Sequence, residues 1–99
     1  MSSYAPVTAL VRGLDVLHVL NTLGGEAGVG AVHDLTGIPK PTVVRILETL
    51  IHAGFVSRIE SVKKYGLTAK CMALACGFDA YDHLLRQAAP ILDVLRQYQ

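Results

Sequence analysis

Residues 37–56 read GIPKPTVVRILETLIHAGFV, and this stretch decides the fold. Gly37 suits a turn with positive φ, and Pro41 suits the first position of the helix that follows, where a missing N–H removes no bond. The apolar side chains form one face of this helix: Val43, Ile46, Leu47 and Leu50. The polar ones form the opposite face: Thr42, Arg45, Thr49 and His52. Gly54 ends the helix.

Two helices are predicted before this stretch. The first covers residues 7–23, and its apolar positions at nearly helical spacing are Leu10, Leu14, Leu17 and Leu20. Gly24-Gly25 ends it, and a short loop leads to Gly30. The second covers residues 31–36 and is expected to present Val32 and Leu35 inward.

A β-hairpin is predicted after the stretch. Residues 55–59 are β-prone, a charged turn follows, and residues 64–67 form the returning strand. Thr68 is expected to N-cap a fourth helix that runs from Ala69 to about Cys76. The predicted fold is therefore mainly α with a small β-hairpin, a winged helix-turn-helix over residues 7–77 followed by a linker helix.

The remaining residues, 78–99, are predicted to form a linker and dimerisation helix. Apolar residues recur there at spacings of three and four, and Leu85 and Leu92 widen the stripe. The predicted dimerisation residues are Tyr81, Leu84, Leu85, Ala88, Ile91, Leu92, Leu95 and Tyr98. Pro90 interrupts the pattern at a cost of about 3 kcal/mol in a helix interior, so we expect a kink or break near Ala88-Ala89.

Composition excludes several classes of protein. Apolar residues make up 52% of the 99 residues and charged residues 17%, which indicates one folded domain. No apolar run approaches the ~20 residues of a membrane span, and the first residues lack signal-peptide character, so a cytoplasmic location is expected. The two cysteines and four histidines have no metal-ligand spacing, and no catalytic or nucleotide-binding motif occurs. We therefore expect no enzyme activity, no metal and no cofactor.

Charge is distributed unevenly along the chain. The net charge is only +1, but residues 37–70 hold six basic and two acidic residues, a net +4. A basic middle between acidic ends suits one surface that faces nucleic acid.

The order of elements is typical of a DNA-binding winged helix. The helix over about 41–53 is predicted to enter the major groove with its first turn, where Thr42 and Arg45 would read bases. The wing over about 55–67 is predicted to lie on the backbone, where Lys63 and Lys64 would contact phosphates, as would Lys40 beside the groove. The predicted DNA-binding residues are Lys40, Pro41, Thr42, Arg45, Thr49, Arg58, Lys63 and Lys64.

Three segments resemble the N-terminal domain of IclR-type transcription regulators. These are VRGL at residues 11–14, LTGIPKPTVVRILETL at residues 35–50, and GFV at residues 54–56, and YGL at residues 65–67 is similar to the family's returning wing strand. The resemblance covers about residues 7–98 and is nearest to activators of aromatic-acid catabolism. It implies a DNA operator, a homodimer, and a small-molecule effector bound by a larger C-terminal domain that this chain lacks.

The resemblance also implies that the effector domain begins after Ala88-Ala89-Pro90, so we expect the chain to be a fragment of a longer protein. It departs from the family pattern at Pro41, where a small hydroxylated residue is expected, and in its low overall charge.

Two other functions remain open at this point. A winged helix can serve as a protein-interaction module that does not read DNA, which salt-insensitive or absent DNA binding with tight self-association would reveal. A small hydrolase or metal enzyme would need a pocket with converging titratable groups, and no spacing in the sequence supplies one.

Overall fold

Three helices and a three-stranded sheet form the first of two compact units, which are divided between Thr68 and Ala69. The computed structural model describes residues 4–78. In chain order the elements are α1 (Thr8–Thr22), β1 (Glu26–Ala27), α2 (Val29–Thr36), α3 (Lys40–Ala53), β2 (Val56–Ile59), a 3-10 helix (Glu60–Val62), β3 (Lys64–Leu67) and α4 (Ala69–Ala75). This order of elements is the predicted winged helix-turn-helix. The predicted domain boundary between residues 77 and 78 stays a prediction.

The core joins all three helices of the first unit. Its fully buried side chains are Val16, Leu20, Val32, Val43 and Leu47, and Ala27, Ile38 and Val56 complete it. The predicted inner face of α3 is confirmed, because Val43 and Leu47 are buried while Ile46 and Leu50 pack against them. Each such side chain contributes about 1.5–3 kcal/mol on burial, so the core holds α3 firmly against α1 and α2.

The predicted apolar face of α1 is partly wrong. Leu10 and Leu14 are 62% and 58% exposed, whereas Val16 and Leu20 are fully buried. Residues four apart share a helix face, so the last two define the buried direction, and Leu10 and Leu14 lie roughly a third of a turn away from it. An apolar surface thus remains on the first half of α1.

The second helix also differs from its prediction. It begins at Val29, inside the predicted loop, and Leu35 is 58% exposed rather than turned inward. Val32 is buried as predicted, and Thr36, four residues later, shares its face. Gly37 takes a left-handed conformation at φ 72°, which confirms the predicted turn glycine.

A third strand, absent from the prediction, extends the hairpin into a sheet. The strand order is β1-β3-β2 with both pairings antiparallel, and Ala27 lies opposite Tyr65. Two residues are too few for an alternating pattern to be recognised. The wing, residues 56–67, is therefore fastened along one edge to the connection between α1 and α2.

The base of the wing is closed by Thr68. Its backbone N–H donates to the carbonyl of Phe55 at 3.1 Å, and its hydroxyl donates to the carbonyl of Gly54 at 2.6 Å. Gly54 ends α3 in a left-handed conformation, as predicted. The end of α3, the start of β2 and the end of β3 thus meet at one point.

The second unit is described only through α4, which spans Ala69–Ala75 close to its predicted bounds. Met72, Leu74 and Phe78 are exposed among the described residues. The predicted dimerisation residues, from Tyr81 to Tyr98, and the expected break at Pro90 lie outside residues 4–78 and stay predictions.

Candidate nucleic-acid interface

The turn between α2 and α3 is held by side chains as well as by the core. Nδ1 of His33 lies 2.7 Å from the carbonyl oxygen of Ile38, so a proton on Nδ1 makes this a hydrogen bond across the turn. The hydroxyl of Thr36 donates to the carbonyl of Val32 at 2.7 Å and accepts from the N–H of Ile38 at 3.2 Å. These bonds fix the direction in which α3 leaves the turn.

The first two residues of α3 are open to solvent. The helix begins at Lys40, one residue before its prediction, so Pro41 occupies the second helical position instead of the first. The N-cap residue is Pro39, which cannot provide a side-chain cap, and Lys40 and Pro41 are both exposed. Uncapped N–H groups at a helix start favour a nearby anion.

The exposed face of α3 is rotated slightly about the helix axis from the predicted face. Arg45 and Thr49 are exposed as expected, but Thr42 is half-buried. The hydroxyl of Thr49 donates to the carbonyl of Arg45 at 2.8 Å, which leaves an oxygen lone pair and a methyl group to face outward. Two residues that the sequence analysis did not single out share this face, Val44, which is 37% exposed, and Glu48.

The tip of the wing presents lysines in two different states. Lys63 follows the 3-10 helix in a left-handed conformation at φ 53°, and among residues 4–78 no carboxylate pairs with it. Lys64 lies 3.9 Å from the carboxylate of Glu26 on β1. Lys63 is therefore the more available cation of the two.

Arg58 is engaged on several sides. Its guanidinium donates a hydrogen bond to Glu48 of α3, lies 3.8 Å from Glu60, and sits 5.8 Å from the centre of the Tyr65 ring. The bond to Glu48, with a smaller contribution from Tyr65, raises the pKa of Arg58 above its ordinary value. The Arg58–Glu48 contact joins β2 to α3 across ten positions in the sequence. No local sequence pattern could have predicted it.

Within the described part of the chain we looked for a pocket, a metal site and a membrane-spanning helix. An open depression of about 330 Å³ lies at the wing, lined by Val29, Arg58, Glu60, Lys63, Lys64 and Tyr65. Within residues 4–78 no group of three His, Cys, Asp or Glu side chains is placed to hold a metal ion. No helix in that range has the length and apolar character needed to cross a membrane.

Comparison with known proteins points to one family. The family "IclR helix-turn-helix domain" matches residues 9–60. An uncharacterised HTH-type transcriptional regulator of Haemophilus influenzae is 28% identical over 87 residues, which are 88% of this chain and 32% of that protein. The HTH-type transcriptional regulator TsaQ1/TsaQ2 of Comamonas testosteroni is 30% identical over 91 residues, 92% of this chain and 32% of that protein.

Solved structures agree with these sequence relatives. An IclR family transcriptional regulator from Brucella abortus is 32% identical with a TM-score of 0.68, covering 76% of this chain and 29% of that one. Pseudomonas aeruginosa HmgR is 28% identical with a TM-score of 0.68, covering 85% of this chain and 36% of that one. The chain thus spans about a third of the length of the proteins it matches.

Proposed function

Because the chain belongs to the IclR helix-turn-helix family, we propose that it is the part of a transcription regulator that binds double-stranded DNA in a sequence-specific manner. In this proposal the first turns of α3 enter the major groove and the wing lies on the sugar-phosphate backbone. The observation that carries it is the exposed, uncapped start of α3 followed one turn later by an exposed arginine, Arg45.

The roles of the α3 residues follow from their chemistry and exposure. Arg45 can donate two parallel hydrogen bonds to O6 and N7 of a guanine. The Lys40 side chain and the backbone N–H groups of Lys40 and Thr42 favour a phosphate at the groove edge. Pro41 has no N–H, and the N–H of Val43 donates to the carbonyl of Pro39. Thr42 offers only part of its surface because it is half-buried, and the exposed methyl groups of Val44 suit contact with a thymine methyl.

The wing is proposed to hold phosphates without reading sequence. Lys63 carries most of this role, since its ammonium group is not paired with any carboxylate among the described residues. Lys64 must share its charge with Glu26, 3.9 Å away, so we expect a smaller contribution from it. Such contacts add affinity on all sequences and make that affinity depend on salt.

We further propose that two copies bind a two-fold-symmetric operator. The exposed apolar residues at the start of α1, Leu10 and Leu14 in the helix and Val7 at its N-cap, are three and four positions apart, a spacing suited to packing against another helix. A second copy would cover this surface and the predicted stripe over residues 78–98. Binding to half-sites one helical turn of DNA apart would require two copies of α3 about 34–36 Å apart.

The location, the lack of enzyme activity and the effector of the whole protein are also proposals. The family resemblance suggests a cytoplasmic regulator without enzyme activity, whose small-molecule effector binds in a larger C-terminal domain. The chain accounts for 32% of the length of two relatives, which are themselves called transcriptional regulators.

Selection of bound duplexes from a random-sequence library, at near-physiological salt, tests the proposed function. We expect enrichment of one motif, arranged as two symmetric half-sites. The selection is repeated with Arg45→Ala and with the matched control Arg12→Ala, an exposed arginine on α1. Loss of one base preference for the first variant alone supports groove reading by α3. Failure of the folded wild-type chain to enrich any sequence would contradict the proposal.

A further inference from the structure

Arg58 is the one arginine of the wing, and its side chain is turned toward the recognition helix rather than held at the tip. The guanidinium donates to Glu48 on α3, and its own strand neighbour across the hairpin is Tyr65, whose ring lies beside it at 5.8 Å. Glu60, at the start of the 3-10 helix, lies 3.8 Å from Nε. Three groups from α3, β3 and the tip thus lie beside a single, partly exposed side chain.

We propose that Arg58 is a positioning residue, which sets the wing against α3 through Glu48, and not a phosphate contact. The inference rests on the proposed function, because it concerns how the two DNA-facing elements are held relative to each other. It offers Arg58 a different role from the phosphate contact predicted from the sequence, and it adds Glu48 to the residues proposed to matter for DNA binding.

The guanidinium of Arg58 has contacts that a phosphate would have to replace. Its donors form a rigid planar fork, so turning the guanidinium toward a phosphate would break the hydrogen bond to Glu48 and move it away from Tyr65 and Glu60. Leaving these groups would forfeit a charge-assisted hydrogen bond and a cation–π contact. Lys63 faces no such cost, since no carboxylate among residues 4–78 pairs with it.

Glu48 is the only carboxylate of α3 and lies on the exposed face that also carries Arg45. An unpaired carboxylate on a helix that approaches DNA would repel phosphates. Pairing with Arg58 neutralises it at the place where the wing meets the helix. One contact therefore accounts for both the acidic residue on this face and the orientation of the wing arginine.

The wing is built from two strands of only four residues each. A short hairpin is marginal alone and depends on contacts with the rest of the domain. Thr68 and β1 hold its base and one edge, and the Arg58–Glu48 pair adds a link from β2 to the exposed side of α3. The angle between wing and helix should depend on that link.

The test compares Glu48→Gln, Arg58→Met and the double variant, with Lys63→Met as the control for a phosphate contact. The affinity of the whole chain for its selected duplex is measured across a range of salt concentrations. A lost phosphate contact lowers the slope of log affinity against log salt by about 0.9. We expect this decrease in slope for Lys63→Met. We expect no change of slope for the double variant, because the pair of side chains removed from it has no net charge. A decrease of about 0.9 in the double variant would overturn the proposal.

A second measurement does not depend on DNA. In NMR spectra of the free protein, we expect Glu48→Gln to shift the signals of the Tyr65 ring and of the wing amides. Thr49→Ala, at the adjacent exposed position, should leave them in place. Unshifted wing signals in Glu48→Gln would refute the link even if DNA binding is intact. Conversely, shifted signals in a chain that binds no duplex would contradict the proposed function and leave the link standing.

Discussion

Leu47→Ala is the substitution that most directly probes how α3 is positioned. The side chain is fully buried, on the face of α3 opposite the exposed one. Removing its outer carbons forfeits about 2.4 kcal/mol of transfer free energy at ~0.8 kcal/mol per carbon, and the cavity left behind brings the total to about 2–5 kcal/mol. A unit of 68 residues has a free energy of unfolding of roughly 3–10 kcal/mol, so the variant loses a large share of its stability.

The assay is urea unfolding followed by circular dichroism, with Val44→Ala as the matched control on the same helix. Val44 is 37% exposed, so its truncation should change the free energy of unfolding by no more than about 0.5 kcal/mol. We expect Val44→Ala to weaken DNA binding with normal stability, because its methyl groups face the proposed groove. A loss below about 1 kcal/mol for Leu47→Ala, or equal losses for the two variants, would refute the assignment of buried and exposed faces.

Three further substitutions test the site. Arg45→Ala should cost about 1–3 kcal/mol of binding free energy and relax preference at one base position, whereas equal losses on all sequences in a binding titration would exclude base reading. Lys63→Ala should weaken binding to every duplex and reduce the salt slope by about 1, and an unchanged slope in salt titrations would remove it from the phosphate contacts. His33→Ala breaks the hydrogen bond to Ile38 and should lower the free energy of unfolding by about 1 kcal/mol in urea titrations, while unchanged stability would mean that the turn does not need it.

The sequence was sufficient to predict the elements whose signals are local. The inner face of α3 follows from helical spacing. Gly37 marks the end of α2 and Gly54 the end of α3, because glycine takes a left-handed conformation without strain. The wing strands were also placed to within a residue. In each case neighbouring residues carry the information.

The errors arise where a tertiary contact decides the outcome. Leu10 and Leu14 have helical spacing, but spacing cannot reveal that α2 and α3 pack on the face of α1 that holds Val16 and Leu20. Likewise β1 forms because β3 offers it a partner, not because two residues favour a strand.

In the candidate site, too, features encoded by neighbouring residues could be predicted and contacts between distant residues could not. The lysines of the wing tip could be recognised from composition and turn position. The pairing of Glu48 with Arg58 could not, since it joins a helix to a strand across ten residues. The hydrogen bond between His33 and Ile38 was missed for a related reason, because a histidine near a turn has several possible partners.

The closed base of the wing has a consequence for how the tip of the wing can vary. Thr68 bonds to both Gly54 and Phe55, so the two strands of the hairpin are joined where they leave the domain. Lengthening a loop twofold beyond such a closure costs only about 0.6 kcal/mol. The segment between the strands can therefore be exchanged for longer or differently charged tips while the helices keep their arrangement. Grafted tips would offer a route to retuning operator affinity without redesigning the helix that reads the bases.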